Sequence, residues 1–166
     1  MEIAHISQPL QEQLPGLITS IYEAALDTSR WQSFLVRLGL ALRSPASVIW
    51  VNDFAQHTVD MTGGSGAFGA STGFAQAQLD SFAKHYCQCN VWLQDQSQHL
   101  PGCVVNSSRL FPDSQLSRTE WYGDWLQPQD LFYSCAAVVE NQRDRSFNVT
   151  VVRPRAAGAY EPQELQ

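Results

Sequence analysis

At 166 residues and 18.5 kDa the chain has the length of one domain with a single core. Hydrophobic residues at 44% exclude a disordered chain, and no stretch reaches the roughly 18–20 apolar residues that cross a bilayer. A net charge of −6 and a pI of about 5.0 exclude a domain that grips DNA or an anionic membrane by its own charge; Arg143, Arg145, Arg153 and Arg155, the nearest approach to a basic cluster, are flanked by acidic residues.

The first third reads as two helices. Leu14, Leu17, Ile18, Ile21, Tyr22 and Ala25 recur at three- and four-residue spacing, with Pro15 placed as in a first helical turn. Asp27-Thr28-Ser29 breaks and re-caps the chain, and Trp31, Phe34, Leu35, Leu38 and Leu42 continue the period to Arg43-Ser44-Pro45. Ser47–Val51, β-branched and aromatic, predicts a strand, and residues 57–61 a weaker one. Residues 63–73 hold five glycines and predict a flexible loop; Gly63-Gly64-Ser65-Gly66 lacks the Lys-Ser/Thr and the helix start of a phosphate loop. Phe74, Leu79, Phe82, Ala83 and Tyr86 predict a third helix ending near Cys87. Pro101-Gly102 reads as a turn before Val104-Val105. Asp113 is placed to cap a fourth helix carrying Leu116, Trp121, Tyr122, Trp125 and Leu126, with Pro128 as its stop. Residues 131–139 and 146–152 predict paired strands joined by a polar hairpin, the second with Phe147, Val149 and Val151 inward and Asn148 and Thr150 outward. Residues 160–166 suggest the opening turns of another helix. Helices around a small, mainly antiparallel sheet make an α+β domain.

The aromatic content concentrates between Tyr86 and Trp125. Tyr86, Trp92, Trp121, Tyr122 and Trp125 fall on two predicted helices and their connection, and Trp121 and Trp125 share a helix face. Such rings at helical spacing are more often plain core than the walls of a small-molecule pocket, and Trp50 of the first strand is counted with the same group.

Several stretches resemble the N-terminal half of bacterial LuxR-type transcription regulators. These are Ile21-Tyr22-Glu23-Ala24-Ala25-Leu26-Asp27 with Trp31, His85-Tyr86 with Asn90-Val91-Trp92, Pro101-Gly102-Cys103-Val104-Val105, Glu120 to Gln129, and Val152-Arg153-Pro154-Arg155 with Gly158 and Tyr160. The resemblance implies one PAS- or GAF-like sensor domain over residues 1–166, a small-molecule effector, a homodimer, and DNA contact through a C-terminal helix-turn-helix domain that these residues do not contain. More distantly, the chain is similar to the acyl-homoserine-lactone receptors of that superfamily, in which a tyrosine, an aspartate and a tryptophan surround the ligand. Tyr86, Asn90 and Trp121 stand at the counterpart positions. Asparagine in place of aspartate keeps one acceptor, adds two donors and loses the charge, a departure that speaks against a lactone and for a different small molecule or none. The expected ligand-binding set is Tyr86, Asn90, Trp92, Trp121, Tyr122, Trp125 and Trp50.

Other chemistry is weakly signalled. His85, Cys87, Cys89, His99 and Cys103 are zinc-type ligands, but Cys87-Gln88-Cys89 is not a Cys-x-x-Cys knuckle, so no metal is expected. Redox sensing by Cys87 and Cys89 needs an exposed thiol of low pKa, and haem ligation by His85 or Cys103 has no specific support. No cofactor and no catalytic constellation emerge; Glu120 and Asp124, four apart, read as a solvated face. The four cysteines, with Cys135 the last, are too few and irregular for a disulfide framework, and no Lys or Arg precedes Arg30 to open a secretory signal. A cytoplasmic protein with reduced thiols is expected.

Overall fold

A computed structural model describes residues 10–61 and 69–166. Helices and a mainly antiparallel open sheet build it. The sheet contains β1 (Ala46–Asp53), β2 (Thr58–Asp60), β3 (Ala70–Thr72), β4 (Val104–Asn106), β5 (Tyr133–Gln142) and β6 (Arg145–Arg153). Its path runs β2-β1-β6-β5-β4, and β3 pairs with the other half of the β1 edge that β2 occupies. β1 and β6 pair along their whole length, from Ala46 opposite Val152 to Asp53 opposite Arg145. The β5–β6 hairpin carries a bulge between Val138 and Glu140.

Both faces of this sheet are covered, and the strand sequences show it. Seven of the eight β1 residues are buried, which is the pattern of a strand with packing on either side. Ile49 packs with Leu17 of α1 (Leu10–Leu26) and with Phe34 and Leu35 of α2 (Trp31–Ala41). Ala46, Val48 and Trp50 point the other way, into a larger cluster with Phe82, Trp92, Trp121, Trp125 and Phe132. On β6 this second layer reverses the expected polarity: Asn148 and Thr150 are buried, while Phe147 and Val149 are only partly so. An alternating strand exposes its polar set only when that set faces water, and here Asn148 and Thr150 lie on the face that the helical layer covers.

Helix α1 also departs from its periodicity. Leu17, Ser20 and Ala24 face inward, while Leu14, Ile18, Ile21 and Tyr22 are exposed. The small inward residues let α1 lie close to its neighbours and turn its more apolar stripe outward. The helix begins upstream of the expected start, so Pro15 lies inside it. Asp27 caps as expected, its carboxylate accepting from the Ser29 amide, and α2 buries Phe34 and Leu35, with Leu42 buried at its C-terminal end.

Residues 62–68 of the glycine-rich segment, including Gly63-Gly64-Ser65-Gly66, lie outside the described residues. Its end is strand β3 rather than loop. Gly73 closes that strand with φ +79°, where an added Cβ would stand 2.0 Å from the Pro45 carbonyl oxygen. Only glycine combines that dihedral with so close a backbone approach.

The third helix runs from α3 (Gln76–Ser81) through a π-helical stretch, Phe82–Tyr86, to a last turn at Cys87–Cys89. The expected fourth helix is two pieces: a single turn at Asp113–Leu116 and a π-helical segment at Trp121–Leu126. Pro112, not Asp113, holds the cap position, and the chain continues past Pro128 as a 3-10 turn ending in left-handed Asp130. The final residues form a 3-10 turn, Pro162–Glu164, in place of a helix. Among the described residues no helix is long and apolar enough to cross a membrane.

Candidate functional site

A hollow lies between the inner face of the sheet and the helical layer spanning residues 74–126. It leaves about 70 Å³ for the centres of water-sized molecules, several times the ~10–15 Å³ that holds a single water. The sheet contributes Val48, Trp50, Ala136, Asn148, Thr150 and Val152, and the helical layer Phe74, Leu79, Phe82, Trp92, Trp121 and Trp125. The rings touch one another in a chain around this space. Trp121 stacks on Trp125 at 4.7 Å with planes 12° apart, and Trp92 meets Trp121 edge-on at 5.7 Å. Phe82 bridges both indoles and reaches Trp50 at 6.0 Å.

The π-helical geometry explains the indole pair. Trp121 and Trp125 follow one another by four residues, and the wider π turn brings their planes into near-parallel stacking on one wall. Both are buried, as is Trp92, which the Asn90 side chain positions by accepting from the Trp92 backbone amide at 2.9 Å.

The polar atoms of the lining divide into two kinds. Some are internally satisfied: Trp50 Nε1 donates to Thr150 Oγ1 at 2.8 Å, and Trp125 Nε1 donates to the Gln78 carbonyl at 3.1 Å. Others are buried without any partner, namely Trp92 Nε1, Trp121 Nε1 and Asn148 Oδ1. The amide of Asn148 cannot turn to relieve this, because its Nδ2 donates to both the carbonyl and the hydroxyl oxygen of Ser146. Two donors and one acceptor thus belong to residues around one space, and each unmet buried group costs about 1–3 kcal/mol.

Among the described residues, no Asp, Glu, Lys or Arg lines the hollow. His99 does, and it is buried; its Nδ1 donates to the Asp95 carbonyl at 3.0 Å, which leaves Nε2 an acceptor in the neutral ring. Burial holds its pKa below the usual imidazole value, against the backbone hydrogen bond and charge of Asp95, which favour the cation. The site is therefore uncharged at neutral pH.

Of the seven residues expected from sequence, Trp50, Asn90, Trp92, Trp121 and Trp125 line the hollow. Tyr86 and Tyr122 are not among its lining residues: Tyr86 stacks edge-on against His85, and Tyr122 packs on Phe132 at 5.6 Å. Tyr122 follows the lining residue Trp121, and a one-residue step along a helix rotates a side chain by about 100°, which puts it on the adjacent face. Asn90 also differs in role, since its Oδ1 is committed to capping. Asn148, Thr150, Ser134 and His99 escaped the sequence reading. The polar alternation on β6 was the visible signal for Asn148 and Thr150, but it reads as solvent exposure until the second helical layer is known.

The thiols are dispersed. Cys87 and Cys135 are buried, and burial raises both, Cys135 to about 12. Cys89 is raised as well, by desolvation first and then by Glu120 and Asp124. Neither member of the Cys87/Cys89 pair has the depressed pKa of a redox-sensing thiol, and two residues apart on a helix they do not face each other. Arg153, one of the four arginines named above as the nearest approach to a basic cluster, is fully buried. It forms a bidentate pair with Glu164 at 2.8 and 3.1 Å, donates to the Leu42 and Gly158 carbonyls, and stacks on Tyr160.

No protein-family profile matches the chain, and no curated protein is significantly similar to it.

Proposed function

We propose that this chain is the cytoplasmic, PAS- or GAF-like sensor domain of a LuxR-type transcription regulator, and that a neutral small molecule occupies the hollow between sheet and helices. The observation that carries this reading is the set of three unpaired buried polar atoms, Trp92 Nε1, Trp121 Nε1 and Asn148 Oδ1, on residues lining one uncharged aromatic space. Buried polar groups are normally satisfied, and a guest with an acceptor for the indole N–H groups and a donor for the asparagine oxygen satisfies them. A carboxylate or ammonium ligand would be stranded, since nothing ionised lines the site among the described residues. The effector is thus an apolar, aromatic or alicyclic body bearing a carbonyl-type acceptor and a hydroxyl or N–H donor. Binding biases the packing of the helical layer to the extent that the guest prefers one arrangement, and DNA contact belongs to a separate domain.

Native mass spectrometry of the protein purified from cells tests this. A retained small molecule in the wild type, absent from the space-filling variant Ala136→Phe, is the expected result. An apo mass for the wild type, with crystals soaked in small aromatic amides showing none in the hollow, would remove the sensor reading.

A second reading, a ligand-free dimerisation module, is favoured by the exposed stripe of Leu14, Ile18, Ile21 and Tyr22 on α1. Sedimentation separates the two: self-association lost in Ile18→Asp while a retained molecule stays bound assigns dimerisation to α1 and sensing to the hollow.

A further inference from the structure

Away from the hollow, metal-ligating side chains meet on the surface. His85 and Cys89 are four residues apart on one helix and so share a face. Glu120 arrives from the residue before the segment Trp121–Leu126. Its Oε1 lies 2.6 Å from His85 Nε2, Cys89 Sγ lies 3.6 Å from the same nitrogen, and the three ligand atoms all fall within 4.8 Å of one another. We propose that His85, Cys89 and Glu120 form a binding site for a zinc-type divalent cation, with water as the fourth ligand.

The donor set carries the choice of metal. One imidazole, one thiolate and one carboxylate suit a borderline-soft ion such as zinc, and exclude magnesium and calcium, which take oxygen ligands. The three ligand atoms lie near enough for small side-chain shifts to make three corners of a tetrahedral shell. With bonds of about 2.0–2.3 Å, ligand atoms around zinc stand about 3.3–3.6 Å apart. The sulfur–nitrogen separation already has this value. The nitrogen–oxygen separation opens by less than about 1 Å, and both side chains, half exposed, have room to do so. Charge agrees as well: a thiolate and a carboxylate neutralise a dication. When no cation is present the Cys89 thiolate is disfavoured, by desolvation first and then by Glu120 and by Asp124 one turn beyond it. The cation reverses that preference, and the thiol proton leaves to solvent as the sulfur coordinates. The site ties together the two helical segments that carry Phe82 and Trp121, so the metal would fix one wall of the hollow.

The inference stands apart from the sensor reading, and its test needs no effector. Cobalt(II) is titrated into the full chain under a non-thiol reductant, and the thiolate-to-cobalt charge-transfer absorption is followed before zinc is added. The expected outcome is saturation at one equivalent and bleaching by zinc. Cys89→Ser abolishes the band, Glu120→Gln weakens binding by at least about 10–100-fold, and Cys103→Ser, at an exposed thiol elsewhere, changes nothing. A missing band at stoichiometric cobalt, a band that survives Cys89→Ser or disappears with Cys103→Ser, or unweakened binding by Glu120→Gln would overturn the proposal. Circular dichroism confirms that each variant is folded.

Discussion

Arg153 shows how far one residue can organise a terminus. A fully buried guanidinium is tolerated because a carboxylate, two backbone carbonyls and an aromatic face surround it. Removing one partner of such a pair leaves an uncompensated charge or unmet carbonyls, at about 3–5 kcal/mol. Arg153→Met is therefore expected to lower the Tm by about 6–20 °C in a chain of this size, checked by thermal denaturation. Glu164→Gln, which keeps the shape and removes the charge, leaves the buried arginine unpaired and is expected to destabilise in the same direction.

The same scale fixes the response to acid. His99 titrates below its ordinary value of 6.5 because burial disfavours the cation. The unfolded chain thus takes up that proton first, so the stability His99 contributes is complete above about pH 6.5 and is lost as pH falls toward its folded value. Glu164 is also lowered: desolvation opposes ionisation, but the hydrogen bonds and charge of Arg153 and the Glu161 amide outweigh it. Its contribution is present above about pH 4.5 and is lost below. Urea midpoints should hold above about pH 7, decline as pH falls below about 6.5, and decline further below about 4.5. His99→Gln should erase the first step and leave the second.

Among elements, β3 most sharply separates what sequence patterns carry from what tertiary contact decides. Residues 70–72 belong to a glycine-rich run, and nothing local predicts a strand there. They become one because the edge of β1 is open beside them and Gly73 can turn at φ +79° against Pro45. Gly73→Ala places a Cβ in both a left-handed conformation and a backbone clash, and is expected to cost about 2 kcal/mol or more, measurable as a lower urea midpoint. Gly158→Ala, also at positive φ but with open space around its Cβ, should cost only the conformational part.

Strands β1 and β5 and helix α2 were legible because burial and local propensity agree in them, whereas β6 was legible as a strand but not in which of its residues are buried. Helix α1 was legible as a helix but not in its orientation, since its apolar residues spread over more than one face and only packing chooses between them. The indoles of Trp50, Trp92, Trp121 and Trp125 were recognisable as a group from their density along the chain. Asn148 was not, because a buried asparagine on an alternating strand has the same sequence signature as an exposed one. The His85–Cys89 spacing was visible, whereas Glu120 joins it only through the packing of two helices.

At the scale of the molecule, the sheet divides the chain into two unequal functions. One face is sealed by α1 and α2 with ordinary aliphatic packing around Ile49. The other holds the aromatic layer, where close ring contacts coexist with a hollow and with three buried polar atoms that bond to nothing. A layer evolved only for packing would fill that volume and would place aliphatic carbon where Asn148 and the indole nitrogens stand. The most direct measurement is a high-resolution electron-density map of the hollow in protein purified from cells and never denatured. The account predicts density larger than water within hydrogen-bonding distance of Trp92 Nε1, Trp121 Nε1 and Asn148 Oδ1. Rings collapsed into the space, or discrete waters alone bridging those three atoms both before and after soaking with small aromatic amides, would contradict it.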